Sequence, residues 1–157
     1  MSNADRVADP PRSILVPTDG SDAATAALER ALAHASRTNA TVHVLSVLDT
    51  TTDPLRFDVA DVAELHQAKT DLVDEIVETA GTRDVDVRGA IRRGRPADVA
   101  LTYADENDID TIVVGQTGRS RLSKALLGST TDRLLRQASI PVLVVPADES
   151  DTPESRN

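Results

Sequence analysis

The stretch Gly115-Gln116-Thr117-Gly118-Arg119, with Gly128-Ser129-Thr130 following Gly118 after nine intervening residues, sits between two segments of different period. A β-branched strand, residues 110–114, leads into it, and a helix over residues 129–137 leads out. Glycines at a strand-to-helix crossing let backbone N–H groups approach an anion with no side chain between them. The helix start adds unpaired donors and a favourable dipole. The spacing predicts a phosphate cradle and, with it, a nucleotide-binding protein.

Working outward, short β-branched runs alternate with longer segments of helical period, the pattern of parallel βαβ units. Strand one covers Ser13 to Pro17 and ends in Thr18-Asp19-Gly20-Ser21, a turn followed by a helix N-cap. Ala24, Ala27, Leu28, Ala31, Leu32 and Ala35 then share one helical face. Strand two covers Thr41 to Leu48, and a second helix, Val59 to about Ala80, is expected to bury Val62, Leu72, Val73, Ile76, Val77 and Ala80. Strand three, Val85 to Ile91, leads through Arg92-Arg93-Gly94-Arg95-Pro96 into a third helix, with Pro96 suited to its first turn. Pro141 to Val145 forms the fifth strand. Strands one and four are the most apolar and are expected at the centre of the sheet. Residues 1–12 and 147–157 are polar and expected to be loose, leaving one domain over 13–146.

The chain has 157 residues, 39% of them hydrophobic, so one domain with a substantial core is expected. With one Phe, one Tyr and no Trp, that core is built from Val, Ile, Leu and Ala, and stacking of bases on aromatics is nearly excluded. Absence of Cys excludes disulfides, thiolate metal sites and cysteine nucleophiles. No run approaches the roughly 18 apolar residues of a membrane span, and the N-terminus lacks the apolar core of a signal peptide. A cytoplasmic protein is expected. The net charge of −9 argues against nucleic acid as a partner. Asp excess combined with 15 Arg against only two Lys, Lys69 and Lys124, resembles the proteins of salt-loving archaea. In molar salt the Debye length is about 3 Å, and self-repulsion of an acidic surface is largely screened. An ordinary acidic surface that aids solubility is the alternative.

In an open parallel sheet, ligands bind outside the carboxyl ends of the strands where strand order reverses. That rule gathers the loops after strands one, two and four into one cleft. Asp19-Gly20 taken alone reads as a plain turn with a cap; opposite the glycine loop it becomes a site candidate. The sequence lacks the dinucleotide G-x-G-x-x-G after strand one and has no Walker A G-x-x-x-x-G-K-[ST], so dehydrogenase and motor-type NTPase readings are weak. His34, His43 and His66 share no spacing that favours a metal and read as satisfied or solvated. Asp108 and Asp110, like Asp84 and Asp86, flank strand starts at the opposite end of the sheet and read as a solvated rim.

Gly115, Gly118, Gly128 and Ser129 fit G-x-x-G, nine residues, then G-[ST]. With Ser13 to Ser21, Gly94-Arg95-Pro96 and Pro141 to Val145, they make the chain resemble the ATP-binding universal stress proteins over residues 13–146. The resemblance implies a three-layer α/β/α, Rossmann-like domain of the adenine nucleotide alpha hydrolase type, with a five-stranded parallel sheet of order 3-2-1-4-5. It also implies a homodimer paired through the last strand, Val142 to Val145, and ATP, with Mg²⁺ or Mn²⁺, as the cofactor. By carry-over, Pro17, Thr18 and Asp19 would contact the adenosine end, Val47 would offer its backbone to the base, and Val114 and Gly115 would line the cleft. The N–H groups of Gly118, Arg119, Gly128, Ser129 and Thr130 would surround the phosphates. Arg121 and Lys124 either extend a positive patch there or are solvated loop charges.

Three functions follow from this reading. The first is a nucleotide-responsive stress or regulatory module without dedicated catalytic residues. The second is a slow ATPase or self-phosphorylating protein in which Ser129 or Thr130 receives the γ-phosphate. The third is a structural stress dimer that binds no nucleotide.

Overall fold

The structure, a computed structural model, describes residues 10–49, 59–117 and 127–146. Its elements are β1 (Ser13–Thr18), α1 (Asp22–Thr38), β2 (Thr41–Leu48), α2 (Val59–Gly81), β3 (Asp86–Arg93), α3 (Pro96–Glu106), β4 (Thr111–Gly115), α4 (Ser129–Gln137) and β5 (Val142–Val145). The five strands are parallel and ordered β3-β2-β1-β4-β5, as the resemblance implies. Strand β1 is central, but its most buried neighbour is β2, which hides seven of its eight residues. Strand four was expected to share the centre; β2 does so at least as fully because α1 and α2 cover one of its faces and α3 the other.

Period-2 alternation divides the core in two. Ile14, Val16, Val42, Val44 and Val113 face α1, with Ala27, Ala31, Leu32 and Ala35 packed on them. Leu15, Leu45, Ile112 and Val114 face α3 and α4, where Ala100, Tyr103 and Leu134 close the layer. The small Ala face of α1 lets that helix lie close to the sheet. Among the described side chains of α2, Val73 and Ala80 are buried, and Leu72, Ile76, Val77 and Val62 are half-exposed. The helix packs through its second half, so its apolar period predicts more burial than it achieves.

Two polar positions tie the layers together. The Asp110 carboxylate accepts hydrogen bonds from the backbone N–H of Arg12 at 2.8 Å and of Ser13 at 3.2 Å, while the Asp110 N–H donates to the Ser13 carbonyl at 3.0 Å. Asp110 is therefore a clamp on the start of β1. The solvated-rim reading does not hold for it, because the opening residues of β1 and β4 are neighbours in the sheet. Arg12 is already fixed, its carbonyl accepting from Thr41 N–H at 2.9 Å.

His43 is buried between β2 and α3, with Nδ1 2.7 Å from the Tyr103 hydroxyl and the rings edge to face. Burial holds the His43 pKa below its ordinary value, and the nearby Arg88 guanidinium lowers it further against an opposing pull from Asp86. Burial raises that of Tyr103, so the pair is neutral at neutral pH. A histidine favoured neutral in the fold contributes stability that is complete above its unfolded pKa of about 6.5 and is lost as pH falls from there through the lower folded value. The melting temperature is therefore expected to drop between pH 7 and pH 5, and His43→Gln to reduce that drop. An equal drop in both proteins would remove His43 from this role.

Candidate functional site

Where strand order reverses, β1 and β4 are joined by two registered pairs, Ile14 with Thr111 and Leu15 with Ile112, against six pairs between β1 and β2. Carried three residues further, that register sets Thr18 level with Gly115, beyond the end of the ladder. The carboxyl ends of the two strands thus flank a crevice at the switch point.

One wall is the turn after β1. Asp19 Oδ1 accepts from Ser21 N–H at 2.9 Å, Thr18 Oγ1 accepts from Gly20 N–H at 3.1 Å, and Gly20 takes φ of 80°, which a side chain would resist. Ser21 then caps α1, its hydroxyl accepting from Ala24 N–H at 3.2 Å. The turn-and-cap reading of Asp19-Gly20 is correct, and the same turn stands in the crevice. Both descriptions apply to one structure.

The other wall is the end of β4. A Cβ on Gly115 would lie 2.7 Å from the Ala23 carbonyl oxygen and 2.8 Å from the Ala23 Cβ, so glycine here is what allows the first turn of α1 to rest on β4. Across the glycine segment, the Gly128 N–H donates to the Gln116 carbonyl at 2.8 Å, and Gln116 N–H donates to the Val145 carbonyl at 2.9 Å. The buried Thr131 hydroxyl donates to the Gly115 carbonyl at 2.8 Å. These three bonds seat the start of α4 against the ends of β4 and β5.

The chemical result is a helix N-terminus held at the crevice. Gly128 is the N-cap and supplies no side-chain cap, so the N–H groups of Ser129 and Thr130, which have no acceptor within the helix, face outward from α4. Of the donors expected around an anion, Gly128 N–H is engaged by Gln116, while Gly118 and Arg119 lie outside the described residues, as do Arg121 and Lys124. Pro17, Thr18 and Asp19 stand at the end of β1, Val114 and Gly115 at the end of β4, and Ser129 and Thr130 open α4; Thr18 falls level with Gly115, and the Val114 side chain is buried in the α3 layer. Val47 lies on β2 beyond its last pairing with β1, Ser46 with Thr18, and is buried on the α3 side.

Ala23, Gln116 and Thr131 were missed by sequence reasoning. The run Ser129-Thr130-Thr131 carried a signal, since three hydroxyls in one first turn point three ways and one must face inward. Nothing in the sequence marked Ala23, whose importance is its backbone. The described residues contain no cluster of three or more His, Asp or Glu side chains placed to hold a metal ion. No helix among them is long and apolar enough to cross a membrane.

These features define an open parallel α/β domain with a helix N-terminus held at its switch point. Residues 11–146 match the universal stress protein family. Universal stress protein MJ0531 of Methanocaldococcus jannaschii is 30% identical over 138 residues, covering 85% of this chain and 81% of that protein. Among solved structures, universal stress protein UspA from Lactobacillus plantarum superposes with a TM-score of 0.75 at 30% identity, covering 88% of this chain and 99% of the other. A universal stress protein in complex with cAMP superposes with a TM-score of 0.70 at 26% identity, covering 89% and 100%. The chain belongs to the universal stress protein family.

The Gly115 contact gives a direct check. Gly115→Ala forces the β4 end and the α1 start apart and is expected to cost about 1–3 kcal/mol in denaturant unfolding. Thr131→Val leaves the Gly115 carbonyl unpaired at a similar cost of about 1–3 kcal/mol. Changes within experimental error for both would show that this junction is loosely packed.

Proposed function

We propose that this protein binds an adenine nucleotide, ATP, in the crevice and acts as a dimeric, nucleotide-responsive stress module. The observation that carries the reading is the uncapped N-terminus of α4, seated beside Gly115 by Thr131 and aimed at the place where an open sheet takes its ligand. Pro17, Thr18 and Asp19 hold the adenosine end and Val47 meets the base. Val114 and Gly115 form the floor. Ser129 and Thr130 N–H groups meet phosphate oxygens, together with the backbone of Gly118, Arg119 and Gly128. Gly128 N–H serves there as a shared donor, because a carbonyl already accepts from it.

The donor set fits a nucleotide better than it fits a bare metal ion. Hydroxyls of Ser129 and Thr130 and the carboxylate of Asp19 are hard oxygen ligands of the type Mg²⁺ or Mn²⁺ accepts, and the phosphates would supply the remainder. When bound, that ion would neutralise phosphate charge. The likeness to the cAMP complex supports an adenine nucleotide as ligand class. Binding without rapid turnover is the reading taken, since Asp19 already accepts from Ser21 N–H and is held in the turn rather than aimed at a water.

The dimer is assigned to β5, an edge strand that pairs on one side only, with β4, and exposes Leu143. The acidic surface is assigned to a saline cytoplasm, where its self-repulsion is screened. A native mass spectrum sprayed from ammonium acetate, without added ligand, reports oligomer and bound nucleotide together. The expected species is a dimer retaining adenine nucleotide, and Gly118→Val is expected to give the dimer with nucleotide lost. Should wild-type protein emerge empty and bind no added ATP by calorimetry in molar KCl, the nucleotide assignment fails.

A further inference from the structure

The strongest charged feature outside the crevice lies at the end of β3. In a chain of net charge −9, Arg92, Arg93 and Arg95 fall within four residues, all exposed, beside a groove of about 330 Å³ floored by Val99 and Tyr103. Arg92 is held in place, donating to the Ile91 carbonyl at 3.0 Å with its guanidinium 5.5 Å from the Tyr103 ring centroid. Ion pairs among the described residues engage Arg83, Arg88, Arg133 and Arg136, and leave Arg93 and Arg95 outside them. The groove's two acids do not cancel the cluster. Asp98 is drawn toward Arg133 at 3.9 Å, and Glu106 sits at the far end of α3.

We propose that this groove is the docking site for the chain's own acidic segment, Asp148 to Glu154. That segment carries Asp148, Glu149, Asp151 and Glu154 and no basic residue. All five strands are parallel, so β5, from which the segment departs, and β3, which carries the arginines, end on the same side of the sheet. Four strand spacings of about 4.8 Å separate them, roughly 19 Å. Six extended residues from Val145 to Asp151 span about 20 Å. Asp151 and Glu154 can therefore reach the guanidinium groups while the chain crosses the carboxyl ends of the strands.

Tethering decides the occupant. A segment joined by so short a linker is present at an effective concentration in the millimolar range, which a free anionic peptide or phosphate must match to compete. At about 0.1 M salt the Debye length is about 10 Å and the attraction acts; at about 1 M it is about 3 Å and the segment is released. Docking is thus a salt-dependent state of the molecule, and because the path crosses the ends of β4 and β1 it is tested on nucleotide-free protein.

Because the chain has no Cys, Ser150→Cys accepts a single nitroxide label, and its broadening of backbone amide signals reports where the segment lies. Amides of Gly94 to Val99 are expected to lose intensity at low salt. They are expected to recover it in molar KCl, and in the Arg93→Gln/Arg95→Gln variant at low salt. Full intensity at low salt overturns the proposal. So does broadening centred on Ser129 to Asp132, which would place the segment at α4. Broadening that appears when ¹⁵N-labelled, unspin-labelled chain is mixed with spin-labelled chain assigns the contact to a second copy and overturns it equally.

Discussion

Everything at the carboxyl end of this sheet depends on one close approach, the first turn of α1 lying on the end of β4 at Gly115. The contact leaves no space for a Cβ against the Ala23 backbone, and it sets how the turn after β1 faces the segment after β4. Thr131 then fastens α4 to the carbonyl of the same glycine, and the Gln116 carbonyl takes the Gly128 N–H. Gly115 therefore organises two helix N-termini from one position. A crevice with the α4 N-terminus on one side and the Asp19 turn on the other is the geometric consequence.

The fold was legible in the sequence because its signals are repeated and local. Alternating β-branched runs marked the five strands to within two residues, helical periods marked the segments between them, and glycines and prolines marked the crossings. The order of the strands required more, and came through the resemblance carried by Gly115, Gly118, Gly128 and Ser129. What escaped was set by tertiary proximity. Asp110 reads as a surface acid until the sheet puts it beside Arg12 and Ser13, and α2 reads as a fully packed helix although its buried described side chains, Val73 and Ala80, both lie in its second half.

The site was legible as a set of positions and less so as a set of donors. The strand-end rule and the resemblance named Thr18 and Asp19, glycine spacing named Gly115 and Ser129, and the fold sets Thr18 level with Gly115 and Ser129 at the start of α4. Spacing did not show that Gly128 N–H is already shared with Gln116, because that bond closes a loop between residues twelve apart. His43 was expected to be satisfied or solvated; burial against Tyr103 satisfies it. A titratable pair inside the α3 layer makes acid stability a property of the core as well as of the acidic surface.

The central claim is that the crevice between the β1 turn and the α4 N-terminus is where an adenine nucleotide binds. An amide chemical-shift titration with ATP in molar KCl tests it most directly, because it locates binding without presuming a readout of activity. The account requires saturable shifts confined to Thr18 to Ser21, Val47 to Asp49, Gly115 to Thr117 and Gly128 to Thr131. Thr18 and Gly20 also line the cavity between α1 and α2, so shifts at Leu28, Leu32, Leu72 and Ile76 without shifts at Gly115 to Thr117 and Gly128 to Thr131, or none at all, would contradict it.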